Sequence, residues 1–410
     1  MTGVGTVQTE RRKSRGRGVR HSATAILLAF ACLFGLDSLL FRTSLYPSIL
    51  QPDSSTGEFE MTLRREKQAQ AKNGDNLIVT LGDSRFAYSP KLANAVTAET
   101  GLVFGHAGVA GTDARSWYYM LRDLDPKASR YRAVVLGVPD YDDEDEPFNP
   151  WDDIRALHYT IVRLRWTDII PFALSFQDPH LKWEALRGST LKGIIFQRDI
   201  QEFLANPKKR LTYVELCRLH WADWTYDYQE TTRSLAGLEI DWKTRTAKFP
   251  PGVDQDQRDT VNYIMREPWP QTGRLAAFRR LWFGKILRHY RGSRTKVIFV
   301  RLPSGALPRP AWLDHKISSS IREFAKIPNV MLADEHAFES LERPELFKDG
   351  IHLNRSGIAV FSPMLAREIS RMLAKPLTGH SDSASSGSPA AVAQAARDPR
   401  KISPAGPGSR

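Results

Sequence analysis

Leu77-Ile78-Val79-Thr80-Leu81-Gly82-Asp83-Ser84 is the stretch on which the reading of this chain turns. A short aliphatic run ending in a tight Gly-Asp-Ser reads as a strand buried on both faces. Working outward, Ser89-Pro90 opens a helix with an N-cap and a proline at its first position, and Gly101 closes it. A second strand is expected over 102–104 and a helix over 112–124, capped by Thr112 or Asp113. Further strands are expected over 133–136, 296–300 and 330–333, with helices over 317–325 and 356–372. Strands alternating with helices predict an α/β fold with a mainly parallel five-stranded sheet covered on both faces. Functional groups in such sheets gather at the carboxyl ends of strands. Ser84 follows the first strand and the glycine run Gly108-Val109-Ala110-Gly111 follows the second.

A serine hydroxyl is a poor nucleophile until a base takes its proton, and a third group must orient that base. Asp349-Gly350-Ile351-His352 supplies both near the far end of the chain. His352 can act as base, and a turn lets Asp349 reach its other ring nitrogen. An oxyanion needs donors, and backbone N–H groups at a strand-to-helix turn are natural ones. Ser84 N–H is one, and the glycine run permits a second by close backbone approach.

These blocks resemble the SGNH hydrolase family, the GDSL-type esterases and lipases. Its first block is Gly-Asp-Ser, matched by Gly82, Asp83 and Ser84. Its second is a glycine in the loop after strand two, to which His106-Ala107-Gly108-Val109-Ala110-Gly111 is similar, with Gly111 at the oxyanion-hole position. Its fourth is Asp-x-x-His before the last helix, matched by Asp349 and His352. The third block, Gly-x-Asn-Asp, departs: here it reads Gly137-Val138-Pro139-Asp140. Proline has neither a side-chain donor nor an N–H, and one lost oxyanion donor costs ~3 kcal/mol of transition-state stabilisation. The resemblance covers roughly 77–140 and 296–372. It implies a three-layer α/β/α sandwich with flavodoxin-like strand order, a catalytic Ser84-His352-Asp349 triad and an acyl-enzyme on Ser84. It implies no cofactor.

Three residues are candidate substrate contacts: His106, where the family often has asparagine; Arg301, just after the fourth strand; and Asn149, a stand-in for the missing donor. For Arg301 an exposed salt bridge is the equal alternative. The acidic run Asp140, Asp142, Asp143, Glu144, Asp145, Glu146 lacks the glycine and spaced ligands of a calcium loop and reads as solvated. Asp83 reads as a structural residue bonding nearby amides. No metal site is expected: the two cysteines, Cys32 and Cys217, cannot make a thiolate site or a disulfide framework.

Six basic residues crowd the first twenty positions against one acid, Glu10, within a net charge of +12. They directly precede an apolar run over 23–41, so they read as a topogenic cluster in preference to a nucleic-acid patch. As a helix that run spans ~29 Å, close to the ~30 Å hydrocarbon core. It is long for a cleaved signal peptide and no small-x-small site follows, which favours an uncleaved anchor. Asp37 lies near its outer end, within reach of the interface.

The expected organisation is a basic cytoplasmic segment (1–22), a transmembrane helix (23–41), a stalk (42–75), an α/β domain (76–375) and a disordered tail (376–410). Residues 141–294 interrupt the α/β alternation and hold eight of the ten tryptophans. They read as a helical insertion capping the site, with helices near 154–164, 211–229 and 272–290. With the resemblance, this describes a single-pass inner-membrane protein with an extracytoplasmic, periplasmic domain. It would act as an esterase or O-acyltransferase on an acylated glycan or lipid. The rival expectation is a degenerate SGNH-like domain that binds glycan or serves polysaccharide export.

Overall fold

The computed structural model describes residues 6–145, 150–220, 231–310, 312 and 318–374. The segment 376–410 and the end of the helix expected over 211–229 lie outside the described residues. The strands are β1 (Leu77–Leu81), β2 (Val103–His106), β3 (Ala133–Val138), β4 (Glu239–Asp241), β5 (Thr246–Lys248), β6 (Lys296–Arg301) and β7 (Val330–Leu332). Five make one parallel sheet in the order β2-β1-β3-β6-β7, and β4 and β5 form a separate antiparallel hairpin.

Helices α1 (Thr6–Phe41), α2 (Leu45–Ile49) and α3 (Ser55–Asn73) precede the sheet. α4 (Pro90–Asn94) and α5 (Thr97–Thr100) join β1 to β2, and α6 (Ala114–Leu124) joins β2 to β3. Between β3 and β6 come α7 (Pro150–Thr160), α8 (Ile169–Ala173), α9 (Pro179–Thr190), α10 (Gln197–Ala205), α11 (Pro207–His220), α12 (Gln255–Ile264) and α13 (Arg274–His289). α14 (Ser320–Phe324) joins β6 to β7, and α15 (Arg355–Ala374) follows.

The register sets residues of like orientation side by side: Leu81 beside Leu136, Leu136 beside Phe299. Alternate residues serve opposite faces. Val79, Leu81, Val134, Leu136, Val297 and Phe299 share one core with Trp117 of α6 and Phe283 of α13. Ile78, Ala133, Val135, Ile298 and Val300 share the other with Ala93 of α4 and Phe361, Leu365 and Ile369 of α15. Burial on both faces is why these strands read as unbroken apolar runs.

The strand order also makes the crevice. From β1 the chain crosses to β2 on one side and reaches β3 on the other, so the loops after β1 and β3 diverge at the carboxyl ends. Ser84 stands at that switch point, and Pro139 follows β3 across from it.

Several expectations need correction. Residues 42–75 are not a stalk. Tyr46, Leu50, Phe59 and Leu63 from this stretch are buried in the first core, each large side chain contributing ~1.5–3 kcal/mol. The stripe is narrow, and the charges around it (Glu58, Glu60, Arg64, Arg65) mask its period; Glu60 itself pairs with Arg163. The helix expected across 89–101 is two short ones, and the break turns Val96 into the core. Ser89, Asp113 and Gly101 do cap as their chemistry predicts: Ser89 accepts from Leu92 N–H, Asp113 from Ser116 N–H, and Gly101 is left-handed at φ 66°.

The insertion is not wholly a cap. α13 covers the sheet, with Phe283 edge-on to Phe299 at 5.0 Å, so it is the crossover helix between β3 and β6. The acidic run is not a solvated loop either. Asp143 is fully buried against Arg279 and Ser320, while Asp145 accepts from Thr272 and Leu275 at the start of α13.

α1 is long and apolar enough to cross a membrane over Thr24–Phe41. Asp37 does not face an interface: it is buried and accepts from the backbone N–H of Lys192 (3.2 Å) and Gly193 (2.7 Å).

Candidate active site

β1 ends at Leu81, and Gly82-Asp83-Ser84 turns out of the sheet, closed by Phe86 N–H donating to Asp83 O at 3.1 Å. Asp83 holds the turn as expected of its chemistry. Its Oδ1 accepts from Arg85 N–H (2.8 Å) and its Oδ2 from Arg85 Nη2 (2.6 Å). Burial pushes the Asp83 carboxyl up, but Arg85 outweighs it and leaves the group below its ordinary range. The Phe86 ring packs back against both Gly82 and Gly137, and a Cβ on either glycine would overlap it. The loop after β2 straps over the same turn: Val109 N–H and Thr112 Oγ1 both donate to Gly82 O at 3.3 Å.

From the opposite end of the chain, Asp349-Gly350-Ile351-His352 forms a tight turn. Asp349 Oδ1 accepts from the amides of Ile351 (3.0 Å) and His352 (2.8 Å). The same carboxylate sits 2.9 Å and 3.0 Å from His352 Nδ1. His352 Nε2 lies 3.0 Å from Ser84 Oγ. Burial raises the Asp349 carboxyl, but these hydrogen bonds outweigh it and hold it below its ordinary range. An ionised carboxylate accepting from Nδ1–H leaves Nε2 as an acceptor for the serine proton. Chemically, the three residues can move a proton from Ser84 onto His352 while Asp349 holds the ring.

The His352 turn is held from behind by the insertion, which the sequence did not reveal. Gly350 N–H donates to Thr260 Oγ1 of α12 at 2.8 Å, and Gln257 Nε2 donates to Lys348 O. The Asp254-x-x-Gln257 capping box marks the start of α12 in the sequence, but nothing local says what the helix supports.

Gly111 lies in the loop after β2 with φ 71°, a left-handed conformation that favours glycine. Tyr159 OH donates to Ala110 O beside it at 2.5 Å, and Arg155 packs over its Cα. The loop after β3 is held by several hydrogen bonds. Tyr141 OH donates to Phe299 O and Ala333 O, and Arg279 donates to the carbonyls of residues 140, 141 and 142.

Asp83 and Arg85, the chain neighbours of Ser84, line a cavity of about 340 Å³ together with Pro139, Trp242, Trp269 and Arg309. Among the insertion's described tryptophans these two face it, whereas Trp282 is buried in the core. Arg266 stacks on Trp269 with its guanidinium carbon 3.4 Å from the ring centroid. Arg266 and Arg309 share one carboxylate, Glu144, at 3.6 Å and 3.5 Å. Arg309 Nε and Nη2 and Arg266 Nε are buried without a hydrogen-bond partner. Such donors are rare in native proteins and call for an explanation.

The candidate substrate contacts fare differently. His106 is not one: it is buried, with Nδ1 3.0 Å from Thr80 Oγ1 and its ring edge-on to Tyr88. Burial, with the Arg65 charge adding, pushes it down to about 3. The end of a strand buried on both faces left no room for a loop residue there. Arg301 lines the cavity but is anchored: it donates to Glu335 O (2.9 Å) and Ser304 Oγ (2.5 Å) and pairs with Glu342. Asn149 lies outside the described residues. Among the described residues, no three His, Cys, Asp or Glu side chains converge on a metal position.

No known family model and no curated protein matches the sequence, so the reading of this site rests on its own geometry.

Proposed function

We propose that the protein is a membrane-anchored serine esterase or O-acyltransferase of SGNH type, acting through an acyl-Ser84 intermediate. The unbroken relay from Ser84 Oγ to His352 Nε2 (3.0 Å) and from His352 Nδ1 to Asp349 (2.9 Å) carries this reading. The strand order, counted along the sheet as 2-1-3-4-5, is flavodoxin-like, and helices on both faces suit a three-layer sandwich.

In this mechanism Ser84 Oγ attacks the ester carbonyl while His352 takes its proton. The tetrahedral oxyanion forms against the amides of Ser84 and Gly111. His352 returns the proton to the departing alkoxide, which leaves as the alcohol, and the acyl group stays on Ser84. A second hydroxyl, from water or a sugar, then gives its proton to His352 and takes the acyl group, and His352 returns that proton to Ser84 Oγ as it leaves. Water makes the enzyme an esterase; a sugar makes it an O-acyltransferase.

The cavity supports an acylated glycan as substrate. Trp242 and Trp269 in its lining suit a sugar ring, and the guanidinium groups of Arg266 and Arg309 set positive charge there for an acidic substituent. Basic residues in the first turns of α1, ahead of its apolar stretch, support a cytoplasmic N-terminus and a periplasmic domain on the inner membrane.

Pro139 favours a second reading, a degenerate domain that binds glycan or assists polysaccharide export, because the position offers no oxyanion donor. A fluorophosphonate probe separates the two. The enzymatic reading expects covalent labelling of the wild type and none of Ser84→Ala. A wild type that resists the probe as fully as the variant favours the binding domain.

A further inference from the structure

α1 has too little free apolar length to cross a membrane alone. Within Thr24–Phe41, every residue from 24 to 36 is exposed, whereas of the last five only Leu39 is exposed and Asp37 and Phe41 are buried by the rest of the chain. Residues 24–36 rise only ~20 Å at ~1.5 Å each, about 10 Å short of a ~30 Å hydrocarbon core. The protein surrounding the last turns of α1 therefore lies at the depth of lipid.

That surrounding protein is a collar made by α8, α9 and the short turn after them. It is bolted to α1 by polar contacts. Asp37 accepts from Lys192 and Gly193 N–H, and Arg42 donates to Ser189 O at 2.7 Å. The turn is locked in turn by Lys192 Nζ, which donates to Val162 O and Leu164 O. Asp37 and Lys192 are both buried beneath the collar.

The outward face of the collar is apolar. Trp166, Ile170, Leu174, Trp183 and Ile194 are exposed, from 40% at Ile194 to 68% at Leu174. Trp166, Ile170 and Leu174 recur every four residues along one face, while Ile169, Phe172 and Ala173 between them are buried. The patch is continuous with the lipid-facing side of α1, since Phe34 meets Trp166 at 5.2 Å between ring centroids. Exposed Arg165 and Arg187 stand at its margin, and Arg42 lies over the Trp166 ring. Apolar residues flanked by tryptophan and arginine are the composition of a membrane interface.

We propose that the α8–α9 collar is embedded in the bilayer, with Trp166, Ile170, Leu174 and Trp183 among the acyl chains and headgroups of the leaflet next to the domain. Lipid supplies the apolar surroundings that the missing 10 Å of α1 requires. The domain is then seated on the membrane at a fixed height, and is not suspended from a tether.

This inference rests on α1 crossing the membrane, and the test separates the two. The full chain, with Cys32→Ser and Cys217→Ser, is reconstituted in nanodiscs with a single labelled cysteine at Leu28, Ile170, Leu174 or Lys248. All four positions are exposed, so the label displaces no packed contact. Wild-type thermal midpoints confirm folding of each variant. Lipids with brominated acyl chains then quench labels that reach hydrocarbon. Quenching at Ile170 and Leu174 at least half as deep as at Leu28, with none at Lys248, is the expected result. Strong quenching at Leu28 with Ile170 and Leu174 as bright as Lys248 overturns the collar and leaves the span. No quenching at Leu28 overturns the span and the collar with it. Labels at Ile170 and Leu174 shielded from both brominated lipid and aqueous iodide mean that a second copy of the chain covers the patch, which also overturns the proposal.

Discussion

Thr260 Oγ1 accepts a 2.8 Å hydrogen bond from the Gly350 amide, which puts a helix of the insertion directly behind the turn carrying Asp349 and His352. Thr260 lies outside the Ser84 relay, yet its contact braces the turn on which His352 stands. Thr260→Val keeps the shape and removes the acceptor. One such bond contributes about 0.5–1.5 kcal/mol. The rate of fluorophosphonate labelling should fall by about three- to tenfold, with the thermal midpoint shifted only slightly, and Thr260→Ser should restore it. A rate unchanged in Thr260→Val means the turn holds itself.

Pro139 lines the cavity, and in the proposed mechanism it supplies the oxyanion with no donor. Pro139→Asn adds a side-chain amide and a backbone N–H at that point. Turnover of an activated ester should rise, by at most the ~10²–10³ typical of one donor. The Arg279 contacts to the carbonyls of residues 140 to 142 keep the loop in place, so the change should leave stability nearly untouched. Steady-state kinetics on p-nitrophenyl acetate decide it; a slower variant shows that the position does not face the oxyanion.

Arg309 tests the cavity without disturbing the relay. Arg309→Gln removes a guanidinium that lines the cavity and shares Glu144 with Arg266. With an acylated acidic glycan, KM should rise about tenfold or more while kcat holds, a loss of uniform binding of ~1.4 kcal/mol. With p-nitrophenyl acetate nothing should change. Equal losses on both substrates would assign Arg309 to packing.

His106 predicts a pH dependence of stability. Burial keeps the folded imidazole neutral down to about 3, whereas the unfolded chain takes up that proton near ~6.5. The depressed value means the contribution is complete above about pH 6.5 and is lost as pH falls toward 3, on the order of a few kcal/mol in all. Thermal midpoints from pH 7.5 to 4.5 should drop more steeply for the wild type than for His106→Gln. Parallel acid limbs in the two proteins count against the assignment.

The central strands and the residues of the relay were legible because each leaves a local signature. Leu77–Leu81 is a short, mostly aliphatic run ending in Gly-Asp-Ser, and Asp349 stands three residues before His352, a spacing at which a turn lets the two side chains meet. Other features depend on partners far along the chain. Phe59 and Leu63 are two apolar positions among charges, and only the packed structure shows that they enter the core. Asp143 and Asp145 look like a solvated cluster until Arg279 and the start of α13 close on them. His106 looked like a loop residue because β2 runs one turn of the pleat further than its apolar letters suggest. Thr260 carries no signal at all, since its role exists only where α12 meets Gly350.

The Phe86 ring, wedged against Gly82 and Gly137, has a consequence for how this sequence can vary. The ring and Gly82 belong to the Ser84 turn, and Gly137 belongs to β3 beside it. A side chain gained at either glycine would press on the same ring and tilt Ser84 away from His352. The three positions therefore behave as a single inherited unit. An alanine at 82 or 137 becomes tolerable only alongside a smaller residue at 86, so descendants of this chain should exchange these positions together or keep all three.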